Sequence, residues 1–304
     1  MTNADDEPGG GGARHLEGTW KWATMALGIG LAVFHLAVAM VPFISDIQRN
    51  AFHFGGFALL CSLVFPMTRF AERGLLQWFD LLLGIAVCWA AVHVALNENA
   101  IYDRGVRLSP PDWIAIGIVI VGAMEFSRRA AGPVIPILIF LSLGYVAWWG
   151  QHIEGVFQFP GLSLETVFFR SVYGDDAMFG TVARISATTV FLFIIFGAFL
   201  VRSGAGDFVI ALARAVAGKL AGGPGLVAVI ASALTGTISG SAVANTASTG
   251  VITIPLMKKA GFNAKFSGAV EASASTGGQM MPPIMGAGAF ILASYTHIPS
   301  DKIG

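Results

Sequence analysis

The sequence predicts an all-α, polytopic membrane protein, and three observations carry that reading. Hydrophobic residues make up 55% of the 304-residue chain and charged residues 12%, about half the charged share of a soluble domain. The uncharged residues gather in runs near crossing length, about 20 residues for a bilayer core of about 30 Å. Trp20, Trp22, Trp78, Trp113, Trp148 and Trp149 all fall near the ends of such runs, where interfacial anchors belong. So little charge excludes a water-soluble enzyme, a secreted disulfide scaffold and a disordered regulator. Lys plus Arg and Asp plus Glu are both 18, which gives no basic surface and hence no nucleic-acid partner. Cys61 and Cys88 lie inside apolar runs and read as buried small hydrophobes.

Residues 1–19 are acidic and then glycine-rich, the wrong start for a signal peptide, and are expected to form a disordered tail. Residues 20–132 hold four apolar stretches: Met25 to Phe43, Ala51 to Met67, Leu75 to Leu96, and Trp113 to Met124. Asp80 is the one charge in the third and reads as a helix-to-helix contact. Residues 133–180 read as a connecting helix, Val134 to Gly150, and a wet external loop. Ile185 to Val201 is a sixth stretch, giving about six transmembrane helices.

With a cytoplasmic N-terminus, the inside segments hold nine basic residues: Arg14, Lys21, Arg69, Arg73, Arg128, Arg129, Arg202, Arg214 and Lys219. The outside segments hold four: Arg49, Arg104, Arg107 and Arg170. The positive-inside rule favours this orientation.

The remaining residues, 181–304, have a different pattern. Gly225 to Met257 is uncharged over 33 residues, roughly 50 Å as helix. That is too long for one crossing and too short for two. Lys219 precedes it, and Lys258 and Lys259 follow. A re-entrant helical hairpin over 225–257 satisfies these constraints, with its tip at Ser239-Gly240-Ser241-Ala242. Residues 272–300 form a second uncharged run, interrupted by Gly277-Gly278 and Pro282-Pro283. Adjacent prolines remove two donors and clash with the preceding turn, so a discontinuous helix is expected. Gly204 to Gly222 reads as an amphipathic surface helix.

Freed backbone in a bilayer is tolerated only where it is buried in protein or lines a cavity. The hairpin tip and the broken span are two such places. The candidate site residues are therefore Ser239, Gly240, Ser241 and Asn245, with Thr276, Gly277, Gly278, Gln279, Pro282 and Pro283. Thr235, Thr237, Thr246, Ser248 and Thr249 add further hydroxyls and an oxygen-rich character suited to a hard cation. The competing reading, that small residues only permit close helix packing, stays open. Glu271 lies just before the broken span, near Lys265, and is either an end-of-span charge or part of an ion pathway. His35, His53 and His93 sit on separate stretches with no acidic partner at fixed spacing, so no metal site or proton relay is expected. Gly236-Thr-Ile-Ser239-Gly240 lacks the nucleophile-elbow spacing, and no phosphate loop, CxxC or HExxH occurs, so no enzyme is expected.

The runs Gly236-Thr-Ile-Ser-Gly-Ser-Ala-Val-Ala-Asn245, Ile254-Pro-Leu-Met-Lys-Lys259 and Glu271-Ala-Ser-Ala-Ser-Thr-Gly-Gly-Gln-Met-Met-Pro-Pro-Ile-Met-Gly286 resemble fused permeases of tripartite ATP-independent periplasmic (TRAP) transporters, TAXI type. These join a DctM-like large membrane subunit to a small one. Phe196-Gly-Ala-Phe-Leu200, Ser203-Gly-Ala-Gly-Asp207 and Gly222-Gly-Pro224 match too. The likeness is specific from about Thr181 to Thr296. Earlier, only the layout agrees, with Arg128-Arg129 and Gly132 as weaker matches.

The resemblance implies a small-subunit-like scaffold over 20–132 and the first repeat of the large subunit over 181–304. It implies a Na⁺-driven secondary transporter in a bacterial or archaeal inner membrane, with no cofactor. An organic acid, often a carboxylate, arrives on a periplasmic substrate-binding protein and crosses by elevator-like motion. Ser239, Ser241, Asn245 and Thr276 become the Na⁺ candidates. Such permeases carry two inverted repeats, whereas this chain has one hairpin and one broken span. The expectation is therefore a fragment, or a chain working with a separate C-terminal half. The alternative is a membrane scaffold or interaction subunit with no ion or substrate site.

The orientation is testable. Cysteines placed in the 97–111 and 151–180 loops are expected to react with an impermeant reagent added outside, and a cysteine at residue 128 is not. External labelling at residue 128 would overturn the orientation.

Overall fold

The computed structural model describes residues 14, 16–68, 75–105, 107–220, 222–281, 285–299 and 302. Most of the acidic tail, the loop carrying Arg69 and Arg73, and Pro282 and Pro283 lie outside the described residues. All regular structure among the described residues is helical. The chain divides into two compact units, Met1–Arg184 and Ile185–Gly304.

The first unit contains α1 (Gly18–Met40), α2 (Asp46–Val64), α3 (Leu75–Leu96), α4 (Glu98–Asp103), α5 (Pro110–Ala131), α6 (Val134–Ala147) and α7 (Leu164–Val172). A further helix, α8 (Thr181–Ile185), runs across the boundary into a π-helical turn, Ser186–Val190, and α9 (Phe191–Arg202). Among the described residues, three helices have the length and hydropathy to cross a membrane: Gly18–Met40, Leu76–Leu96 and Thr181–Leu200. That is fewer than the six stretches counted from the sequence. The helices α2 and α5 are as long, 19 and 22 residues. They, however, carry Asp46 and Arg49, and Asp112, Glu125, Arg128 and Arg129, inside their helical bounds. The connecting helix α6 is uncharged but has 14 residues, about 21 Å.

Small side chains let α2 and α3 pack closely. A Cβ on Gly55 would lie 3.2 Å from the Ala91 Cβ, and one on Gly84 would lie 2.3 Å from the Ser62 hydroxyl. Around this seam Ala51, Ala91, Val94, Ile116, Val119 and Phe179 form a buried core. The charged groups of the first unit collect at helix ends, and one cluster closes the C-terminal end of α2. That end leaves orphan carbonyls with the negative pole of the helix dipole. Arg14 donates to the Ser62 and Leu63 carbonyls at 3.2 and 3.1 Å. Arg129 donates to the Phe65 carbonyl at 3.1 Å, and Arg128 to that of Met67 at 2.9 Å.

Asp80, 1% exposed, balances the two buried guanidiniums. Arg14 Nη2 lies 2.5 Å from its Oδ2, and Arg129 Nη1 lies 3.0 Å from its Oδ1. The second is an ion contact whose angle misses hydrogen-bond geometry. Asp80 thus joins α3 to α5 and to the segment before α1. Within the stretch expected to be a disordered tail, Arg14 is buried and helix begins at Gly18.

The second unit continues with α10 (Ala205–Ala217), α11 (Gly223–Ser239), α12 (Ala242–Lys259), α13 (Ala264–Gly278) and α14 (Ala287–Thr296). Ala213 and Ala217 of α10 pack on Val227 and Ala231 of α11. On the surface of α10, Phe208, Leu212 and Val216 form an exposed apolar ridge at a spacing of four. Helices α11, α12 and α13 pack on one another. α11 and α12 have 17 and 18 residues, about 26 and 27 Å, each short of a full crossing of about 30 Å.

Removing Asp80 takes away the buried carboxylate that Arg14 and Arg129 share, while Arg129 keeps its contact with Glu125 at 2.8 Å. Asp80→Ala is expected to cost about 3–5 kcal/mol, read as lowered stability in denaturant. Lys21→Ala, at an exposed position, serves as control. Equal stability of the two variants would show that the cluster does not hold the first unit together.

Candidate functional site

The hairpin turns on two residues. Gly240 ends α11 in the left-handed region, φ +61°. A Cβ there would lie 2.7 Å from the Met285 carbonyl oxygen, so both conformation and space require glycine. Ser241 opens α12 as its N-cap, its hydroxyl accepting from the Ala244 N–H at 3.3 Å. The Ser239 hydroxyl sits against Ser241, donating to its carbonyl at 3.3 Å.

The break between α13 and α14 meets this turn. The Gln279 side-chain amide donates to the Gly240 carbonyl at 3.3 Å, and the Gly286 N–H donates to the Gln279 carbonyl at 2.6 Å. Between tip and break lies a cavity of about 530 Å³ lined by Gly240, Ser241, Gln279, Gly286, Ala287 and Leu292, among others. The C-terminal end of α11 and the N-terminal ends of α12 and α14 all border it. Helix C-termini present carbonyls to cations, and helix N-termini present N–H groups to anions.

The other candidates are placed differently. Gly278 packs against Gly236: a Cβ on Gly278 would lie 2.8 Å from the Gly236 Cα and 3.1 Å from the Ser232 carbonyl oxygen. Its lack of a side chain lets α11 and α13 touch backbone to backbone. Gly277 faces open space. The Thr276 hydroxyl is exposed and donates to its own helix, to the Ala272 carbonyl at 2.8 Å. Asn245 is fully buried below the tip and donates to the Ser232 carbonyl at 2.7 Å and the Ser275 hydroxyl at 3.2 Å. Ser239, Gly240, Ser241 and Gln279 are therefore brought together. Asn245 and Thr276 do not converge with them, and Pro282 and Pro283 lie outside the described residues.

Asn245 belongs instead to a polar network centred on Glu271. The sequence left Glu271 at the margin of the broken span. The structure places it inside α13, 0% exposed, because that helix starts at Ala264, before the uncharged run. Four hydroxyls from three helices donate to its carboxyl. Ser232 and Thr249 reach Oε1, Ser275 reaches Oε1 at 3.3 Å, and Thr253 reaches Oε2 at 2.5 Å. Gly250 makes room, since a Cβ there would lie 3.3 Å from the Glu271 Cγ. No ion pair to Glu271 occurs among the described residues. A signal for this network was present in the sequence. Asn245, Thr249 and Thr253 repeat at four residues, as do Glu271 and Ser275, which puts each set on one helical face.

The histidines are also less scattered than their sequence positions imply. His35 Nε2 and His53 Nδ1 lie 2.8 Å apart between α1 and α2, and His93 Nε2 lies 3.0 Å from Asp112 Oδ1 between α3 and α5. Packing of neighbouring helices makes these pairs, so spacing along one helix misses them. No group of three or more potential metal ligands occurs among the described residues.

Comparison with known proteins places this architecture. The family model described as "Tripartite ATP-independent periplasmic transporter, DctM component" matches residues 113–303. The uncharacterized protein YgiK of Salmonella typhimurium is 36% identical over 91 residues, covering 30% of this chain and 21% of that protein. The C4-dicarboxylate TRAP transporter large permease protein DctM of Rhodobacter capsulatus is 32% identical over 106 residues, 35% of this chain and 24% of its own. The protein of the same name from Pseudomonas aeruginosa is 29% identical over 127 residues, 42% and 29%. The chain thus spans less than a third of the length of the curated relatives it matches. No solved structure matches it. The family match covers more than half of the chain and includes the tip, the break and the Glu271 network: the chain belongs to the DctM component family of tripartite ATP-independent periplasmic transporters, a family of multi-pass membrane permeases and not of enzymes.

Proposed function

We propose that the chain supplies one part of the permease of a Na⁺-driven secondary transporter of the TAXI type, taking an organic acid from a periplasmic binding protein. The first unit acts as a fused, small-subunit-like scaffold with its N-terminus in the cytoplasm. The observation that carries this reading is the cavity between hairpin tip and helix break. The end of α11 with the Gly240 carbonyl offers partial negative charge to Na⁺, together with the Ser239 and Ser241 hydroxyls. The start of α14 offers unpaired backbone N–H groups to a carboxylate. A C4-dicarboxylate, the class for which two relatives are named, fits that chemistry. The second large-subunit half and the binding protein are the partners this reading requires.

The rival reading, a membrane scaffold with no ion site, draws on one observation: Asn245 and Thr276 already bond within the unit. The two differ in their response to Na⁺. Under the permease reading, NaCl stabilises the purified chain against heat more than KCl does, by about 1.4 kcal/mol at roughly tenfold above the dissociation constant. Ser241→Ala is expected to raise the Na⁺ concentration needed about tenfold while leaving the stability in KCl within about 1 kcal/mol. Equal stabilisation by NaCl and KCl, or unchanged Na⁺ curves for both Ser239→Ala and Ser241→Ala, would remove the tip as an ion site.

A further inference from the structure

The Glu271 network lies apart from the tip, and nothing assigned to the tip uses it. Glu271 is wholly buried, and the helices packed against α13 bring it no balancing charge. α11 contains no ionisable side chain, and α12 contains only Lys258 and Lys259, near its far end. On α13 itself the other ionisable residue is Lys265. All three lysines are exposed, and none pairs with Glu271. An ionised carboxylate buried without a counter-charge is expensive, and it either gains a cation or gains a proton.

The hydrogen bonds can accommodate a proton. Three of the four hydroxyls have a second partner within reach. Thr249 Oγ1 lies 2.8 Å from the Asn245 carbonyl oxygen, Thr253 Oγ1 lies 3.0 Å from that of Thr249, and Ser232 Oγ lies 3.0 Å from Thr249 Oγ1. A hydroxyl has one hydrogen and serves one strong acceptor at a time. With the carboxylate ionised, the hydroxyls donate to it. With the carboxyl protonated, Thr249 and Thr253 turn their hydrogens to the helix carbonyls, and the acid O–H donates into the freed lone pairs. Both states are satisfied with no movement of a helix. A second observation points the same way. Asn245 Oδ1, in a residue 0% exposed, is a buried acceptor without a hydrogen-bond partner. The network therefore has acceptors to spare for one more hydrogen.

We propose that Glu271 is a proton-binding site inside the hairpin unit, its carboxylate taking up one proton that it releases again to solvent. This adds a proton to the Na⁺ reading; its meaning for transport rests on the permease reading, but the site itself does not.

The test is an infrared pH titration of the chain reconstituted in lipid vesicles. The protonated-carboxyl C=O band is followed in wild type, Glu271→Gln and Thr253→Val. Wild type is expected to show a band that disappears reversibly as pH rises and that is missing in Glu271→Gln. Glutamine keeps the size and hydrogen-bonding capacity of the neutral acid, and circular dichroism with thermal unfolding verifies its fold. Thr253→Val removes the Oε2 donor that favours the ionised form. It is expected to tighten proton binding about tenfold and move the loss of the band to higher pH. Three results overturn the proposal: identical spectra for wild type and Glu271→Gln, an unmoved transition in Thr253→Val, or loss of the band on adding Na⁺ at constant pH. The last would make the network a Na⁺ site. A Na⁺-insensitive band with no Na⁺ stabilisation of the chain would keep the proton site and sink the Na⁺ reading alone.

Discussion

A carboxyl group buried in apolar surroundings must be satisfied by what surrounds it, and in the second unit this demand falls on Glu271. Its donors come from α11, α12 and α13. The three helices therefore have to sit in one register for the network to close. The Gly236 and Gly278 contact brings α11 and α13 near enough for Ser232 to reach across. Asn245 then ties α12 to the Ser232 carbonyl. With this bundle fixed, Gly240 at the end of α11 comes to lie against the Met285 backbone and the Gln279 amide, and the tip cavity follows.

The same constraint is met by different chemistry in the first unit. There the expensive groups are guanidiniums, and they are placed where helix ends supply free carbonyls. Arg14, Arg128 and Arg129 take up the carbonyls at the end of α2, with Asp80 between two of them. One unit hides a lone carboxyl among hydroxyls; the other neutralises charge with charge.

Much of this was legible in the chain. The 33-residue uncharged run and its bracketing lysines specified a helical hairpin, and its midpoint fell on the residues where α11 gives way to α12. Gly277-Gly278 and the double proline marked the break that separates α13 from α14. What escaped was whatever depends on packing between helices. Glu271 looked marginal because hydropathy starts the span at Ala272, while helix geometry starts it at Ala264. The His35–His53 and His93–Asp112 pairs join different helices, and Arg14 sits in a stretch whose composition reads as tail. The π-helical turn at Ser186–Val190 has no simple signature in its Ser-Ala-Thr-Thr-Val sequence.

The central claim is that Glu271 couples the three helices through its hydroxyl partners. A double-mutant cycle measures this directly, from unfolding free energies of Glu271→Gln, Thr249→Val and the pair in lipid or detergent. Residues in one hydrogen-bond network show interaction energies of about 0.5–3 kcal/mol. The account predicts a coupling within that range between Glu271 and Thr249, and strict additivity between Glu271 and exposed Thr276. Additive effects for Glu271 and Thr249 as well would contradict it.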